Sequence, residues 1–311
     1  MVLKNNLFYW NLSLKNTEPV IDEFYCQDKL IVEDREFLIK VERLRELIIS
    51  YCVVCEKDKK AAIKISDEIY KIILSMNKVQ YTEFVAFWKV LDISYSIFLK
   101  LSNKREILEK ILNEYCQKRR KIYDSLGYSN ITIQALYDSG SSRKNSVLGI
   151  KKIKEILNKQ MKVEYSRNIK KFEENKISYF LPDKGDKKLF NEFCKKYKIC
   201  YKFGKGKQSK EPDMVLKIKS HFFIIEAKHI KEGGGAQDKQ ISELISFIKN
   251  SEKNKCVHYV SFIDGIYFNY FIEDSFNNKI SRQKEDIKSH LNNKNNFFVN
   301  TVGLKRLFKD I

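Results

Sequence analysis

Two apolar, β-rich segments separated by a short polar break constrain the fold of this chain more than any other feature. The first runs from Met214 to Lys219 and the second from Phe222 to Lys228. Two such runs joined by two residues predict a β-hairpin, here with Ser220 and His221 as the turn. Gly233 to Gly235 follow, and then an amphipathic run that predicts a helix packed against the hairpin.

The predicted register brings three charged side chains together. With that turn, Asp213 lies opposite Lys228, and Val215 lies opposite Glu226. Side chains alternate between faces with a period of two, and paired residues share a face, so the three charged residues lie on one face. Opposite Cβ atoms are about 5 Å apart and diagonal ones about 7–8 Å. A divalent cation can bridge two carboxylates at that separation.

These residue types suit phosphodiester hydrolysis. Two carboxylates hold Mg²⁺, which prefers oxygen ligands and keeps positions open for water and phosphate. An ammonium group beside the metal can orient a water and stabilise charge on phosphate. The alternative interpretation is structural, with Asp213 in a turn after Pro212 and the segment Glu226–Lys228 as an exposed strand end. Against it, Glu226 follows four apolar residues, and a charge leaving a buried strand usually has a partner.

The spacing of these residues is similar to a known signature. Pro212-Asp213, twelve intervening residues and then Glu226-Ala227-Lys228 resemble the motif of the PD-(D/E)xK nuclease superfamily, and within it a type II restriction endonuclease. The resemblance implies that both acids and the carbonyl oxygen of Ala227 bind Mg²⁺. It also implies that Lys228 assists the attacking water.

The same resemblance implies the fold class and the domain organisation. It extends over roughly residues 163–308 and implies an α/β fold, a restriction-endonuclease-like mixed β-sheet core flanked by helices. Upstream, residues 32–123 carry apolar side chains at helical spacing. We therefore expect a mainly helical DNA-binding or dimerisation region at residues 1–146 and a catalytic core at residues 147–311. Asp264-Gly265 is a turn signal, so Ile266 to Ile272 is predicted to pair as a strand with Val257 to Ile263.

Further candidate residues follow from related nucleases. Many restriction enzymes carry a segment with Ser, Arg, Lys and Gly before the first core helix, and residues 137–146 look similar. A glutamate on that helix, or a glutamine on the helix after the motif, supports the metal site in related enzymes. The candidates for such support are Glu155, Gln237 and Gln240. The candidate DNA contacts are Arg143, Lys144, Lys205, Lys207 and Lys231.

The charge balance predicts a polyanionic partner. The chain has 59 Lys and Arg against 40 Asp and Glu, a net charge of +19. An excess of this size is typical of proteins that bind nucleic acid. The alternatives are solubility or the Lys, Asn and Ile bias of an AT-rich genome, which explains why Lys outnumbers Arg but not the imbalance against acids. Residues 195–231 contain eleven lysines and three acids, so a basic field surrounds the predicted acidic site.

We therefore expect a type II restriction endonuclease that cleaves double-stranded DNA with Mg²⁺ and leaves 5′-phosphate and 3′-hydroxyl ends. A homodimer would match a palindromic target, and a cognate DNA methyltransferase is expected as a genetic neighbour. No run approaches eighteen apolar residues and no signal peptide is recognisable, so we expect a cytoplasmic protein without a membrane partner. The alternatives are a structure-directed repair nuclease of the same superfamily, a non-catalytic DNA-binding protein, and an RNA-binding helical module fused to an unrelated α/β domain.

Overall fold

The structure is a computed structural model that describes residues 3–25, 34–127, 129–140, 145–203, 210–231, 235–273, 278–291 and 295–311. Its α-helices, in chain order, are α1 (Asn6–Leu14), α2 (Arg35–Val54), α3 (Lys59–Ser75), α4 (Glu83–Phe87), α5 (Tyr95–Phe98), α6 (Lys104–Lys118), α7 (Arg120–Leu126), α8 (Asn130–Gly140), α9 (Asn145–Gln160), α10 (Ile169–Glu174), α11 (Lys187–Tyr197), α12 (Gly235–Phe247), α13 (Asn278–Leu291) and α14 (Thr301–Asp310). Short 3₁₀ helices lie at Glu23–Tyr25, Val79–Tyr81, Trp88–Leu91, Pro182–Lys184 and Ile266–Phe271.

Six strands form one mixed sheet. They are β1 (Glu164–Tyr165), β2 (Ile177–Phe180), β3 (Met214–Ile218), β4 (His221–His229), β5 (Val257–Asp264) and β6 (Phe297–Val299), and their order in the sheet is the same as their order in the chain. The strands β2, β3 and β4 are antiparallel neighbours, whereas β4, β5 and β6 run parallel. The α/β fold class is therefore confirmed at the level of a mixed sheet with flanking helices.

Helices cover both faces of the sheet. On one face, Phe223 and Phe262 pack against α9 and α14. On the other face, Ile224 packs against Phe247 of α12 and Phe193 of α11. The central strands β4 and β5 are buried on both sides. Polar side chains at their carboxyl ends therefore lie next to an apolar interior and need hydrogen-bond or charge partners.

The register of the β3–β4 hairpin corrects the prediction. Its turn consists of Lys219 and Ser220, one residue earlier than expected, and Lys219 has a φ of 54°. Positive φ in the turn matches the twist of the two strands in a two-residue hairpin. Val215 consequently pairs with Ile224 and not with Glu226. Each partner has moved by two residues, so every side chain remains on its predicted face.

The chain divides into two compact units. We expected residues 1–146 to form one region, but residues 1–26 belong to the unit that contains the sheet. One unit comprises residues 1–26 and 144–311, and the other comprises residues 27–143. The first helix belongs to the unit with the sheet because its aromatic side chains are buried there: Tyr9 packs edge-on against Phe297 of β6 and Trp10 against Phe298. The sequence of residues 1–30 shows no clear periodicity, so this contact could not be predicted.

The second unit is helical, as expected, within its described residues. Its core includes Leu44 of α2, Ile69 of α3 and Leu112 of α6. A disulfide joins Cys52 to Cys116 and so links α2 to α6. The sequence alone could not reveal this pair, because the two residues are 64 positions apart on different helices.

One predicted strand is wrong. Residues 266–271 form a 3₁₀ helix after Gly265, whose φ is 94°, and do not pair with β5. Phe268 and Phe271 are buried against Trp10 instead. The parallel strands β4 and β6 flank β5 on both sides, so no edge is left for a hairpin partner. None of the helices in the described segments has the length and apolar character that a membrane crossing requires.

Candidate active site

Two carboxylates face each other where β3 begins and β4 ends. Continuing the observed register by one residue beyond the Met214–Ile225 pair places Asp213 opposite Glu226. Asp213 is held there by the backbone, because its Oδ2 accepts a hydrogen bond of 2.9 Å from the N–H of Ala227. The corrected register thus brings the two acids closer than the predicted one, in which they were diagonal neighbours.

Glu226 is the buried centre of the site. It is 0% exposed, and its Oε1 accepts a hydrogen bond of 2.5 Å from Nζ of Lys228 and another from Nζ of Lys210. Its other oxygen, Oε2, is buried and has no hydrogen-bond partner among the residues that the structure describes. An unpaired carboxylate oxygen inside a protein costs about 1–3 kcal/mol or more, so we expect a water or a bound ion as its partner.

A third acid reaches the site from α12. Glu243 Oε2 lies 3.4 Å from Nζ of Lys210 and 3.8 Å from Nζ of Lys228. Because this glutamate is half-exposed, it marks the side of the site that opens to solvent. We refer to this group as the open cluster, which consists of Asp213, Glu226, Glu243, Lys210 and Lys228.

The electrostatics of the open cluster reflect an excess of buried negative charge. Burial, followed by the negative charge of Glu226, raises the pKa of Asp213 to about 6, although Lys228 and Lys210 oppose the shift. Burial alone would lower the pKa of Lys210, but the Glu226 carboxylate outweighs it and raises that pKa. Burial and the same two acids raise the pKa of the nearby Tyr201 hydroxyl. Burial is the largest cause of the Asp213 and Tyr201 shifts, and the contributions from the acids show that additional positive charge would stabilise the site.

The donor set fits a hard divalent cation. Asp213 and Glu226 supply carboxylate oxygens, one of them buried and unpaired, and such oxygens are the preferred protein ligands of Mg²⁺. Within the described residues, no group of three or more His, Cys, Asp or Glu side chains is arranged as a metal site. A Mg²⁺ ion commonly has only one or two protein carboxylates and takes its other ligands from water and phosphate.

The helix α9 backs the open cluster from the opposite face of the sheet. A Cβ atom added to Gly149 would lie 3.7 Å from Cβ of Ala227, so the helix packs closely on β4. Glu155 lies on this helix but is not brought to the carboxylate pair. Its Oε1 forms a surface ion pair of 2.5 Å with Lys159.

The remaining predicted residues are distributed around the site. Gln237 and Gln240 are half-buried on α12, about two turns and one turn before Glu243, and neither amide hydrogen-bonds to Asp213, Glu226 or Lys228. Lys231 is exposed and lines a separate cavity of about 250 Å³. The other candidate DNA contacts lie outside the described residues: Arg143, Lys144, Lys205 and Lys207.

A second charged group lies at the ends of β4 and β5, on the face of the sheet that α9 covers. Lys152 Nζ of α9 lies 2.7 Å from Oδ1 of Asp264, 2.5 Å from Oδ2 of Asp22 and 3.9 Å from Oε2 of Glu18. The hydroxyl of Tyr25 donates to Oδ2 of Asp264, and this oxygen also lies 3.3 Å from Nδ1 of His229. We refer to this group as the closed cluster, which consists of Glu18, Asp22, Tyr25, Lys152, His229 and Asp264.

Every carboxylate oxygen of the closed cluster accepts a hydrogen bond. Asp22 Oδ1 accepts from the N–H of Phe24, and Glu18 accepts from the backbone and the hydroxyl of Thr301 at 2.7 and 3.0 Å. Burial alone would raise the pKa of Asp264, but the bonds from His229, Lys152 and Tyr25 lower it to about 2. Burial and the charge of Asp264 raise the pKa of Glu18 to about 7.

Comparison with protein-family models, with curated proteins and with solved structures gave no match. The chemistry of the site therefore has to be inferred from its own geometry.

Sequence reasoning missed Lys210 and Glu243 of the open cluster. Lys210 precedes Asp213 by three residues, and strand alternation would have sent the two side chains to opposite faces. Residues 210–213 precede β3, so this alternation does not apply to them, and the backbone of Lys210 is instead fixed by Phe203, whose carbonyl oxygen accepts its N–H at 2.9 Å. Glu243 carries a weak signal, since it lies one turn beyond the predicted Gln240 on the same side of α12.

Proposed function

We propose that this protein is a Mg²⁺-dependent endonuclease that cleaves double-stranded DNA, with a restriction-endonuclease-like core. One observation carries the proposal: Asp213 lies opposite Glu226, and a buried oxygen of Glu226 has no partner in the described part of the chain. Lys228 on the same face supplies the ammonium group that the PD-(D/E)xK resemblance requires.

Each residue of the site has a distinct role in this proposal. Asp213 and Glu226 would hold Mg²⁺, together with the carbonyl oxygen of Ala227. The bound ion supplies charge stabilisation at the phosphate and a more acidic water. Lys228 orients the attacking water, whose oxygen forms a bond to phosphorus as the bond from phosphorus to the 3′ oxygen breaks. The products carry a 5′-phosphate and a 3′-hydroxyl.

The surroundings of the site support a nucleic-acid substrate. The net charge of +19 favours binding to a polyanion, and the strongly basic segment around the motif favours the approach of phosphate. Site-specific cleavage of a palindrome would use two copies of the chain related by a two-fold axis. A type II restriction enzyme would be accompanied by a methyltransferase gene that protects the same sequence.

The direct test is incubation of the protein with plasmid DNA and Mg²⁺, followed by mapping of the ends. The proposal expects discrete fragments whose 5′ ends carry phosphate. A smear, or cleavage of branched DNA alone, would assign the site to a structure-directed nuclease. Binding of DNA without cleavage would remove the catalytic assignment.

Two lysine variants connect the activity to this site. Lys228→Ala is expected to abolish cleavage and to leave DNA binding largely intact. Lys176→Ala is the matched control, because Lys176 is exposed and lies at the turn end of the hairpin, where its carbonyl oxygen accepts the N–H of Lys219. Cleavage by Lys228→Ala at the rate of this control would contradict the proposal.

A further inference from the structure

Lys210 is fixed at its backbone but has an accessible charged end. Its N–H donates to the carbonyl oxygen of Phe203, and its own carbonyl oxygen accepts a hydrogen bond of 2.9 Å from the hydroxyl of Tyr201. Its side chain is 37% exposed, whereas that of Lys228 is 18% exposed. Of the two ammonium groups on Glu226, that of Lys210 therefore has the freer path to solvent.

Both ammonium groups occupy the same oxygen of Glu226. Nζ of Lys210 and Nζ of Lys228 both donate to Oε1. A divalent cation that binds this carboxylate repels both of them, since like charges at such distances interact unfavourably in a partly buried site. Lys228 is restrained by its position on β4, two residues from Glu226, so the ammonium group that gives way is that of Lys210.

The charge of the open cluster indicates where Lys210 then acts. Three carboxylates and two ammonium groups leave one negative charge, which a divalent cation converts to one positive charge. One phosphodiester group, which carries a single negative charge, makes the loaded site neutral. Without Lys210 the same assembly would keep one uncompensated negative charge in a partly buried position, which is unfavourable.

We propose that Lys210 is a second catalytic lysine: it holds the Glu226 carboxylate until a divalent cation binds, and it then contacts a non-bridging oxygen of the scissile phosphate. This inference rests on the proposed nuclease function and adds a residue to it. Lys210 thus competes with the metal in the absence of DNA and assists the reaction in its presence. These two roles have opposite signs, and a purely structural lysine would show neither.

The test compares Lys210→Gln with Lys187→Gln. Lys187 is a matched control because its substitution removes the same charge. Its Nζ lies 2.5 Å from Oε1 of Glu211, which precedes Asp213 by two residues. In a calorimetric titration with Mn²⁺ and no DNA, Lys210→Gln is expected to bind the ion about tenfold more tightly than the wild type, a change of about 1.4 kcal/mol. Lys187→Gln should bind it as the wild type does.

Cleavage provides the second measurement. At saturating Mg²⁺, Lys210→Gln is expected to cut plasmid about 10²-fold more slowly than Lys187→Gln, and Lys210→Arg should recover part of the rate. Unchanged or weaker Mn²⁺ binding by Lys210→Gln overturns the competition, and an undiminished rate overturns the phosphate contact. A wild-type protein that binds Mn²⁺ but does not cut DNA would reject the proposed function, while a tighter Lys210→Gln complex would still support the competition.

Discussion

The two charged clusters lie on opposite faces of one sheet at the carboxyl end of β4, and they differ in how their acids are satisfied. Each has three carboxylates and at least one lysine that contacts two or more of them. In the closed cluster, every carboxylate oxygen accepts a hydrogen bond from the protein. In the open cluster, a buried oxygen of Glu226 accepts none from any residue within the described ranges.

This difference separates a structural from a functional use of buried charge. The closed cluster joins residues 18–25 to α9 and to the sheet. Within the described residues, its buried polar atom without a hydrogen-bond partner is a nitrogen, His229 Nε2, and Mg²⁺ prefers oxygen ligands. The open cluster leaves carboxylate oxygen available beside two ammonium groups. We therefore expect substitutions in the open cluster to affect catalysis and those in the closed cluster to affect stability.

The largest expected effect is on cleavage by Glu226→Gln. This change removes the charge that would hold the metal and leaves the shape of the side chain intact, so we expect a loss of about 10³-fold or more in the cleavage rate. Rates on plasmid DNA at saturating Mg²⁺ measure it. A variant that retains a tenth of the wild-type rate would place the chemistry elsewhere.

The next largest effect is on the stability of Lys152→Met. Removing the ammonium group leaves two buried acids, Glu18 and Asp264, and the partly buried Asp22 without their common partner, so we expect a loss of about 3–5 kcal/mol in the free energy of unfolding. Denaturant titration measures it. Lys159→Met on the same helix is the control, because that lysine forms only a surface ion pair with Glu155, and its cost should stay below about 0.5 kcal/mol. Equal stability of the two variants would show that the closed cluster does not anchor the fold.

A pH dependence of stability follows from Glu18. Its pKa is raised in the folded protein from 4.5 to about 7, so folding favours the protonated acid. That contribution is complete below pH 4.5 and is lost as the pH rises through about 7. The wild type should therefore lose about 3 kcal/mol of stability between low pH and pH 8 through this group. Glu18→Gln has no carboxyl to titrate there and should not lose it.

Unfolding curves at several pH values measure this difference, and Glu155→Gln serves as a control on an exposed glutamate. A difference between Glu18→Gln and the wild type that does not change with pH would contradict the assignment.

The smallest expected effect concerns cleavage by Glu155→Gln. The sequence resemblance offers this glutamate as metal support, whereas the structure pairs it with Lys159 on the surface. We expect the cleavage rate to stay within about twofold of the wild type, because loss of one exposed ion pair costs below about 1 kcal/mol. A loss comparable to that of Glu226→Gln would restore its predicted role.

How much the sequence could predict depends on the range of the interaction. The shared face of Asp213, Glu226 and Lys228 follows from alternation along two adjacent strands. The prediction of that face holds although the turn lies one residue earlier than expected, because this shifts each cross-strand pairing by two residues. The left-handed conformation of Lys219 carries no sequence signal of the kind that glycine gives.

The closed cluster could not be predicted because its members come from distant parts of the chain. Glu18, Lys152 and Asp264 meet only after the sheet and α9 have formed. The same reason hides the place of α1 in the unit that contains the sheet, since Trp10 is buried against Phe298, nearly 290 residues later.

The most direct test of the contrast between the clusters is a titration of Mn²⁺ into the wild type, Asp213→Asn and Asp22→Asn, followed by calorimetry. We predict one bound ion per chain, lost in Asp213→Asn and retained in Asp22→Asn. Absence of binding by the wild type, or binding that depends on Asp22 and not on Asp213, would contradict the account.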